Sequence, residues 1–142
     1  MKGRRLAVSL ISLFVLILNI TAITTTSQAA PAVDPVNSTV VASPTLVPAD
    51  GVLFTRITVN AVAVNGKPVN ITSASLLANP ATGLVYAVAF SSNPPPVPPG
   101  QAVFVVLSTV PEQVTFTAVI NGVTLQQKAV VTFSGVTTAL TY

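Results

Sequence analysis

Alternation of apolar and polar residues is the dominant pattern of this 142-residue chain. It is clearest over Leu53–Ala63, where Ile57, Val59 and Ala61 share one face of an extended segment. Because side chains alternate between the two faces of a strand, a period of two places one face of the segment in a core. The pattern therefore predicts a strand with one buried side.

The same pattern recurs along the chain, and turn-forming residues separate its segments. Asn-Gly pairs at 65–66 and 121–122 and an Asp-Gly pair at 50–51 predict tight turns, because these residues tolerate positive φ. The predicted strands cover 38–42, 53–63, 69–78, 84–90, 101–108, 114–120 and 123–133. About seven short strands in about a hundred residues are typical of a β-sandwich. A small β-barrel satisfies the same periodicity and remains the alternative.

Prolines interrupt the strand pattern in two places. Pro44 and Pro48 lack the backbone donor that a central strand needs, so they predict an edge strand that kinks or switches sheet after its first residues. The segment 91–100 contains five prolines and predicts a stiff, extended surface loop.

The first thirty residues have the layout of a secretory signal peptide. A cationic start with Lys2, Arg4 and Arg5 precedes the apolar run 6–22, and small residues follow. Ser27 and Ala29 suit the pockets of a signal peptidase, so we expect cleavage after Ala29, with 1–29 forming a hydrophobic signal helix. The alternative is an uncleaved membrane anchor, because the apolar run approaches the length of a spanning helix.

Cleavage would change the charge balance. The remaining cations are Arg56, Lys67 and Lys128, and they match the three acidic residues in number, so the net charge of the mature chain is zero. Three scattered cations cannot displace the counterions of a nucleic acid, which excludes that class of partner. A neutral chain also lacks self-repulsion, so we expect easy association.

The segments of the chain after the signal peptide are also predicted from the sequence. We expect residues 30–37 to form a flexible lead-in outside the core, residues 38–135 to form the domain, and residues 136–142 to form a tail.

The side-chain inventory argues against catalysis. The chain has no His and no Cys, which removes the usual general bases and nucleophiles. Asp34, Asp50 and Glu112 are far apart in sequence and are expected in the lead-in, a turn and a connector. We therefore predict no catalytic, metal-binding or cofactor-binding residues and no cofactor.

Several motifs resemble the group 1 bacterial immunoglobulin-like domains of the invasin and intimin type. They are Ser38–Gly51 with its Pro-bracketed Asp-Gly turn, Ile57-Thr-Val, Asn65-Gly-Lys-Pro-Val69, Gly100–Thr109, Val114–Gly122 and Ala129–Phe133. The resemblance covers residues 38 to 135 and implies an immunoglobulin-like antiparallel β-sandwich. It also implies a role as an extracellular spacer or adhesin module, although such motifs specify fold better than function.

The sequence departs from the family in ways that bear on function. Phe54, Val62 and Val119 occupy positions expected to face away from the core, where the family usually carries charged residues. Such side chains are either ordinary scattered apolar surface or are covered by another copy or a larger assembly.

Two function hypotheses follow. The first is an exported, non-catalytic module with a structural or adhesive role at the cell surface, contacting protein partners or itself. In it, 30–37 or 136–142 could add a strand to another copy. The second is a secreted or periplasmic monomeric binding protein that uses strand-end loops, with Pro94–Pro99 and Asn79–Gly83 as rims.

Overall fold

The computed structural model describes residues 31–90 and 97–137. The predicted signal helix 1–29 lies outside the described residues, as do most of the proline-rich loop and of the tail. Eight strands are described: β1 Thr39–Ser43, β2 Leu46–Pro48, β3 Thr55–Asn60, β4 Ala74–Asn79, β5 Leu84–Phe90, β6 Gln101–Ser108, β7 Glu112–Ile120 and β8 Val123–Ser134.

The strands form two four-stranded sheets. The first has the order β1-β3-β6-β5 and the second the order β2-β8-β7-β4. Neighbouring strands are antiparallel except for β2 and β8, which are parallel. This is the predicted immunoglobulin-like sandwich. The strand count is eight because Pro44 ends β1 in one sheet and β2 begins again in the other, as the prolines predicted.

The core lies between the sheets and is built by the predicted alternation. Three phenylalanine rings, those of Phe104, Phe116 and Phe133, are almost completely buried there. The alternate apolar residues of the predicted strands are buried on β3 and its extension (Ile57, Val59, Ala61), on β7 (Val114, Phe116, Ala118, Ile120) and on β8 (Ala129, Val131, Phe133). Burying each large apolar side chain contributes about 1.5–3 kcal/mol, so the core supplies the main stabilisation.

The predicted strand 69–78 is wrong in its first half. Strand β4 begins at Ala74. Unbroken alternation from Val69 and Ile71 would turn Ser73 and Ser75 inward, but both are exposed, whereas Leu76 is buried. Val69 and Ile71 are buried as predicted, but from an irregular segment rather than from a ladder. The positions whose side chains point inward therefore change from odd-numbered to even-numbered residues between Ile71 and Ala74. They change because side-chain hydrogen bonds hold the intervening backbone out of the sheet.

Part of the predicted lead-in belongs to the core, which corrects the expectation for residues 30–37. Val33 is 5% exposed and forms a bridge with Ala63, and Asp34 donates its backbone N–H to the Val62 carbonyl at 2.7 Å. These contacts fix the segment to residues 62 and 63, just after β3, although prolines flank it. The family-like domain therefore begins before residue 38.

The two ends of the described domain lie at opposite ends of the sandwich. Val33 lies by Ala63, at the same end as Gly100, whose carbonyl accepts the Ala61 N–H at 2.7 Å. At the other end, Ser134 accepts the Ala49 N–H at 2.8 Å. The chain thus enters the domain at one end and leaves it at the other.

Candidate interaction surfaces

All three acidic residues accept hydrogen bonds from within the domain. Asp34 Oδ1 accepts the N–H groups of Val36 and Asn37 at 2.9 and 3.2 Å, and its Oδ2 accepts the side-chain amide of Asn37 at 2.7 Å. Glu112 Oε1 accepts the Thr82 hydroxyl at 2.6 Å, which ties the start of β7 to the turn before β5. Among the described residues, no group of three or more His, Cys, Asp or Glu side chains could hold a metal ion.

Asp50 forms the predicted turn. Its Oδ1 accepts the N–H groups of Val52 and Leu53, both at 2.8 Å, and Gly51 follows with φ of 72°. These bonds hold residues 52 and 53 in the turn, so β3 begins at Thr55 rather than at the predicted Leu53.

Hydrogen bonding lowers the pKa of two carboxyl groups. The pKa of Asp34 lies below its ordinary value, chiefly because the Asn37 side chain and then the Val36 N–H donate to the charged form. The Leu53 and Val52 N–H groups lower the pKa of Asp50 in the same way. Both groups are therefore held as carboxylates, and a group held charged by its own turn is committed to structure rather than to proton transfer.

The described residues of the two predicted rims of a binding site, 79–83 and 97–99, lie at opposite ends of the sandwich. The carbonyl of Gly83 accepts the Thr109 N–H, so the turn Asn79–Gly83 lies at the end where β6 finishes. Gly100 lies where β6 begins, and the proline-rich loop ends there. An eight-residue strand spans about 26 Å. The structure thus does not bring the turn Asn79–Gly83 and the described residues 97–99 together around one ligand.

The outer face of the first sheet is apolar over β5 and β6 and mixed over β1 and β3, and we call the surface formed by its apolar residues the apolar face. Its members are outward residues of neighbouring strands, together with Phe54 just before β3: Val41, Phe54, Val85, Ala87, Val103, Val105 and Leu107. Val85 is 61% exposed, Val41 53% and Phe54 48%. Phe54 faces away from the core as predicted, and so do Val62 and Val119, which lie between buried neighbours and are partly covered.

A polar row closes one end of this face. Gln101 donates its side-chain amide to Asn60 Oδ1 at 3.1 Å, and the Asn60 amide donates to the Thr39 hydroxyl at 3.4 Å. At the β1 side of the sheet a shallow groove of about 370 Å³ is lined by Val41, Ser43, Phe54, Arg56 and Thr58. Arg56 is the only charged side chain among the outward residues of the described strands of this sheet.

The outer face of the second sheet is more polar. Isolated apolar residues of this face, among them Leu46, Leu77 and Val130, have polar neighbours. The polar residues are threonine, glutamine, asparagine and lysine: Gln113, Thr115, Thr117, Asn79, Lys128 and Thr132. The two outer faces of the described domain therefore differ, and only that of the first sheet places outward apolar side chains directly opposite each other on neighbouring strands.

Two side chains that sequence reasoning missed hold separate segments together. Asn121 Oδ1 accepts the N–H groups of Thr72 and Ser73 at 2.8 and 3.1 Å, and its Nδ2 donates to the Asn70 carbonyl at 2.8 Å. Gln127 Oε1 accepts the Val40 N–H at 2.8 Å.

The irregular part of β8 that contains Gln127 could have been recognised from the sequence. The register of β7 and β8 shifts where residues 125–127 of β8 stand opposite Ala118 alone. The polar run Gln126-Gln127-Lys128 between the buried Leu125 and Ala129 breaks the alternation, and it could have indicated this bulge. The Asn-Gly pair at 121–122 is indistinguishable in sequence from the one at 65–66.

Nothing in the described ranges 31–90 and 97–137 forms a helix long and apolar enough to cross a membrane.

Comparison with known families and structures identifies the fold. The family model described as invasin, domain 3, matches residues 34–136. No curated protein matches the chain in sequence. The match begins at Asp34, in agreement with the buried position of that residue.

Solved adhesin and surface-layer structures are similar to this chain. They include the Escherichia coli adhesin FdeC (TM-score 0.63, 17% identity, 76% of this chain and 34% of that chain). They also include the Yersinia pseudotuberculosis adhesin InvE (TM-score 0.56, 20% identity, 70% and 26%) and domains 1–6 of the surface layer protein SbsC (TM-score 0.54, 12% identity, 80% and 14%). The chain spans about a third or less of these proteins, and at such identities the likeness concerns the fold.

Proposed function

Because this chain belongs to the invasin domain 3 family, we propose that it is an exported, non-catalytic immunoglobulin-like module at the cell surface. Its role is structural or adhesive, and it works through contacts with protein partners or with copies of itself. Solved structures that are similar to it are named as adhesins, which favours this class of function over an enzyme.

The observation that supports the proposal most is the apolar face. Adjoining apolar side chains on an open sheet surface are costly to leave in water and are typical of protein contact sites. The turn-bound carboxylates and paired amides described above are occupied within the domain, so the exposed surface rather than a cleft is available for function.

Charge supports contact between copies. Net charge is zero over the described ranges, since Arg56, Lys67 and Lys128 match Asp34, Asp50 and Glu112 in number. Copies of the domain therefore approach one another without net repulsion, and a surface carrying many copies favours association by concentration alone.

The test combines localisation with assembly. The full chain, expressed with its own leader, is followed by surface labelling of intact cells, and the processed protein is analysed by size-exclusion chromatography and negative-stain microscopy. We expect surface labelling together with oligomers or fibres at high concentration. Retention of the protein in the cytoplasm would overturn the proposal. A stable monomer at the cell surface would exclude contact between copies and leave contact with other proteins as the proposed mode of action.

A matched pair of variants assigns the contact to a face. Val41→Thr with Val85→Thr makes the apolar face polar while keeping β-branched residues in both strands. Val130→Thr makes the same change on the second sheet, where Val130 is 45% exposed. We expect the first change to weaken association or adhesion and the second to leave it unaltered.

A further inference from the structure

The four edges of the two sheets are not equally protected. The edge of β1 is blocked, because the outward N–H of Val40 is bonded to the Gln127 side chain. The edge strand β2 has three residues and ends in Pro48. Short strands, prolines and side-chain caps are the usual means of preventing pairing with another chain.

Strands β4 and β5 form the other two edges, and backbone hydrogen bonds show which of their groups point outward. Gly83 pairs with Thr109 through a backbone bond in the register of β5 and β6. Because such pairs alternate along an antiparallel ladder, residues 85, 87 and 89 direct their backbone groups to β6. Residues 84, 86, 88 and 90 therefore direct theirs away from the sheet.

The edge of β4 is shorter. Asn121 donates its N–H to the Ser73 carbonyl in the register of β4 and β7, so only residues 74, 76 and 78 direct their backbone groups outward. Pro80 follows the strand directly.

Within the described part of the chain, the edge of β5 has none of these protections. Its sequence, Leu84–Phe90, contains no charged residue, no proline and no glycine. It is the longest of the four edge strands, with four residues whose backbone groups point outward, and no strand of the described part of the chain pairs with it on that side. An edge of this kind is a template for another strand.

We propose that β5 pairs antiparallel with β5 of a second copy of this chain, about a two-fold axis at Ala87. The inference rests on the self-contact included in the proposed function and names the surface that makes it. A second copy is the partner the edge fits, because it presents the same uncharged strand and because net charge is zero over the described ranges.

The axis at Ala87 is the register that uses the whole strand. Leu84 then pairs with Phe90 and Tyr86 with Val88, and all four direct their backbone groups to the shared edge. This gives about eight hydrogen bonds between the copies. Ala87 faces its own equivalent as a non-hydrogen-bonded pair, with Cα atoms about 4.5 Å apart. The two first sheets become one sheet of eight strands, and their apolar faces become continuous.

The size of this contact predicts a weak association. A seven-residue strand is about 23 Å long. An edge of that length about 10 Å wide buries about 500 Å² in total, well below the roughly 1,200 Å² of stable complexes. The pairing should therefore form at the high local concentration of a crowded surface and dissociate on dilution.

The test exploits the absence of cysteine from the chain. Ala87→Cys places one thiol at the proposed axis, within the Cα distance that a disulfide requires. Leu77→Cys and Val41→Cys are matched controls at exposed central positions of the β4 and β1 edges. Each full-length variant is exported, purified, checked for wild-type thermal unfolding under reducing conditions, and oxidised across a concentration series.

We expect Ala87→Cys to form a disulfide-linked dimer about tenfold faster than either control, because only its thiols are held at bonding distance. Equal rates for all three variants, or a faster rate for Leu77→Cys, would overturn the β5 assignment. Oligomers of the wild-type chain without cross-linking at position 87 would refute this edge alone and leave the proposed function standing. A wild-type chain that stays monomeric and a variant that does not cross-link would refute self-contact altogether.

Discussion

The Asn121 side chain is predicted to be a principal support of the segment between Val69 and Ala74. Its carboxamide accepts three hydrogen bonds, from the N–H groups of Thr72 and Ser73 and the Thr72 hydroxyl, and donates one to Asn70. This segment carries the buried side chain of Ile71 without belonging to a sheet. Replacing Asn121 should therefore loosen part of the core as well as a turn.

The magnitude follows from the number of bonds. A net contribution of about 1 kcal/mol per hydrogen bond, with three bonds sharing one oxygen and lying near solvent, gives about 2 kcal/mol for Asn121→Gly. Glycine keeps the positive φ of 49° that Asn121 adopts. Asn121→Ala loses that tolerance as well and should cost about 1 kcal/mol more.

Asn65→Gly is the matched control at the other Asn-Gly turn. Asn65 Oδ1 accepts only the Lys67 N–H, at 3.0 Å, so this change should cost at most about 1 kcal/mol. Urea unfolding followed by circular dichroism gives the free energies, and a melting temperature lowered by about 8 °C is expected for Asn121→Gly. If Asn121→Gly is no less stable than Asn65→Gly, the proposed clamp makes no measurable contribution.

Three further predictions concern charge, space and the core. Hydrogen bonds lower the folded-state pKa of Asp34 and Asp50, so the stability that these carboxylates confer is complete above their ordinary pKa of 3.8 and is lost as pH falls through their lower folded-state pKa values. The urea midpoint of unfolding should therefore fall between neutral pH and pH 3. It should fall less in Asp50→Asn, which lacks one of the two carboxylates. Gly66→Ala meets no atom within 4 Å and should cost about 1 kcal/mol for its positive φ, whereas Gly100→Ala brings a Cβ to 2.8 Å from the Ala61 oxygen and should cost more than about 3 kcal/mol in the same assay. Phe104→Ala should cost about 3–5 kcal/mol and the exposed Val130→Ala about 0.5 kcal/mol or less, and a calorimetric comparison that ranks them otherwise would contradict the described core.

The predictable part of the fold is the part fixed by local pattern. Val114 to Ile120 alternates in sequence and lies half in the core, and Pro44 cannot continue a ladder, so both outcomes follow from the residues alone. The irregular segment before Ala74 could not be predicted, because its conformation depends on Asn121, about fifty positions away. Val33 likewise enters the core through its bridge to Ala63, a contact that the flanking prolines concealed.

The candidate surface was predictable only in outline. Composition indicated an uncharged exterior, and the outward position of Phe54 followed from strand parity. That the apolar residues gather on one sheet while the other carries threonines and amides depends on strand order, which single-sequence periodicity does not specify. The opposite placement of Gly83 and Gly100 depends on strand order in the same way, and it argues against the strand-end binding site.

The parallel contact between β2 and β8 has a mechanical consequence. Force applied through the two ends of the domain would draw β2 toward the entry end and β8 toward the exit end, along their common direction. The bonds of Thr45 and Ala49 to Thr132 and Ser134 would then carry the load in shear, together rather than one after another. A tether at a cell surface that must hold against flow would benefit from this arrangement, since it yields only when all of these bonds break at once.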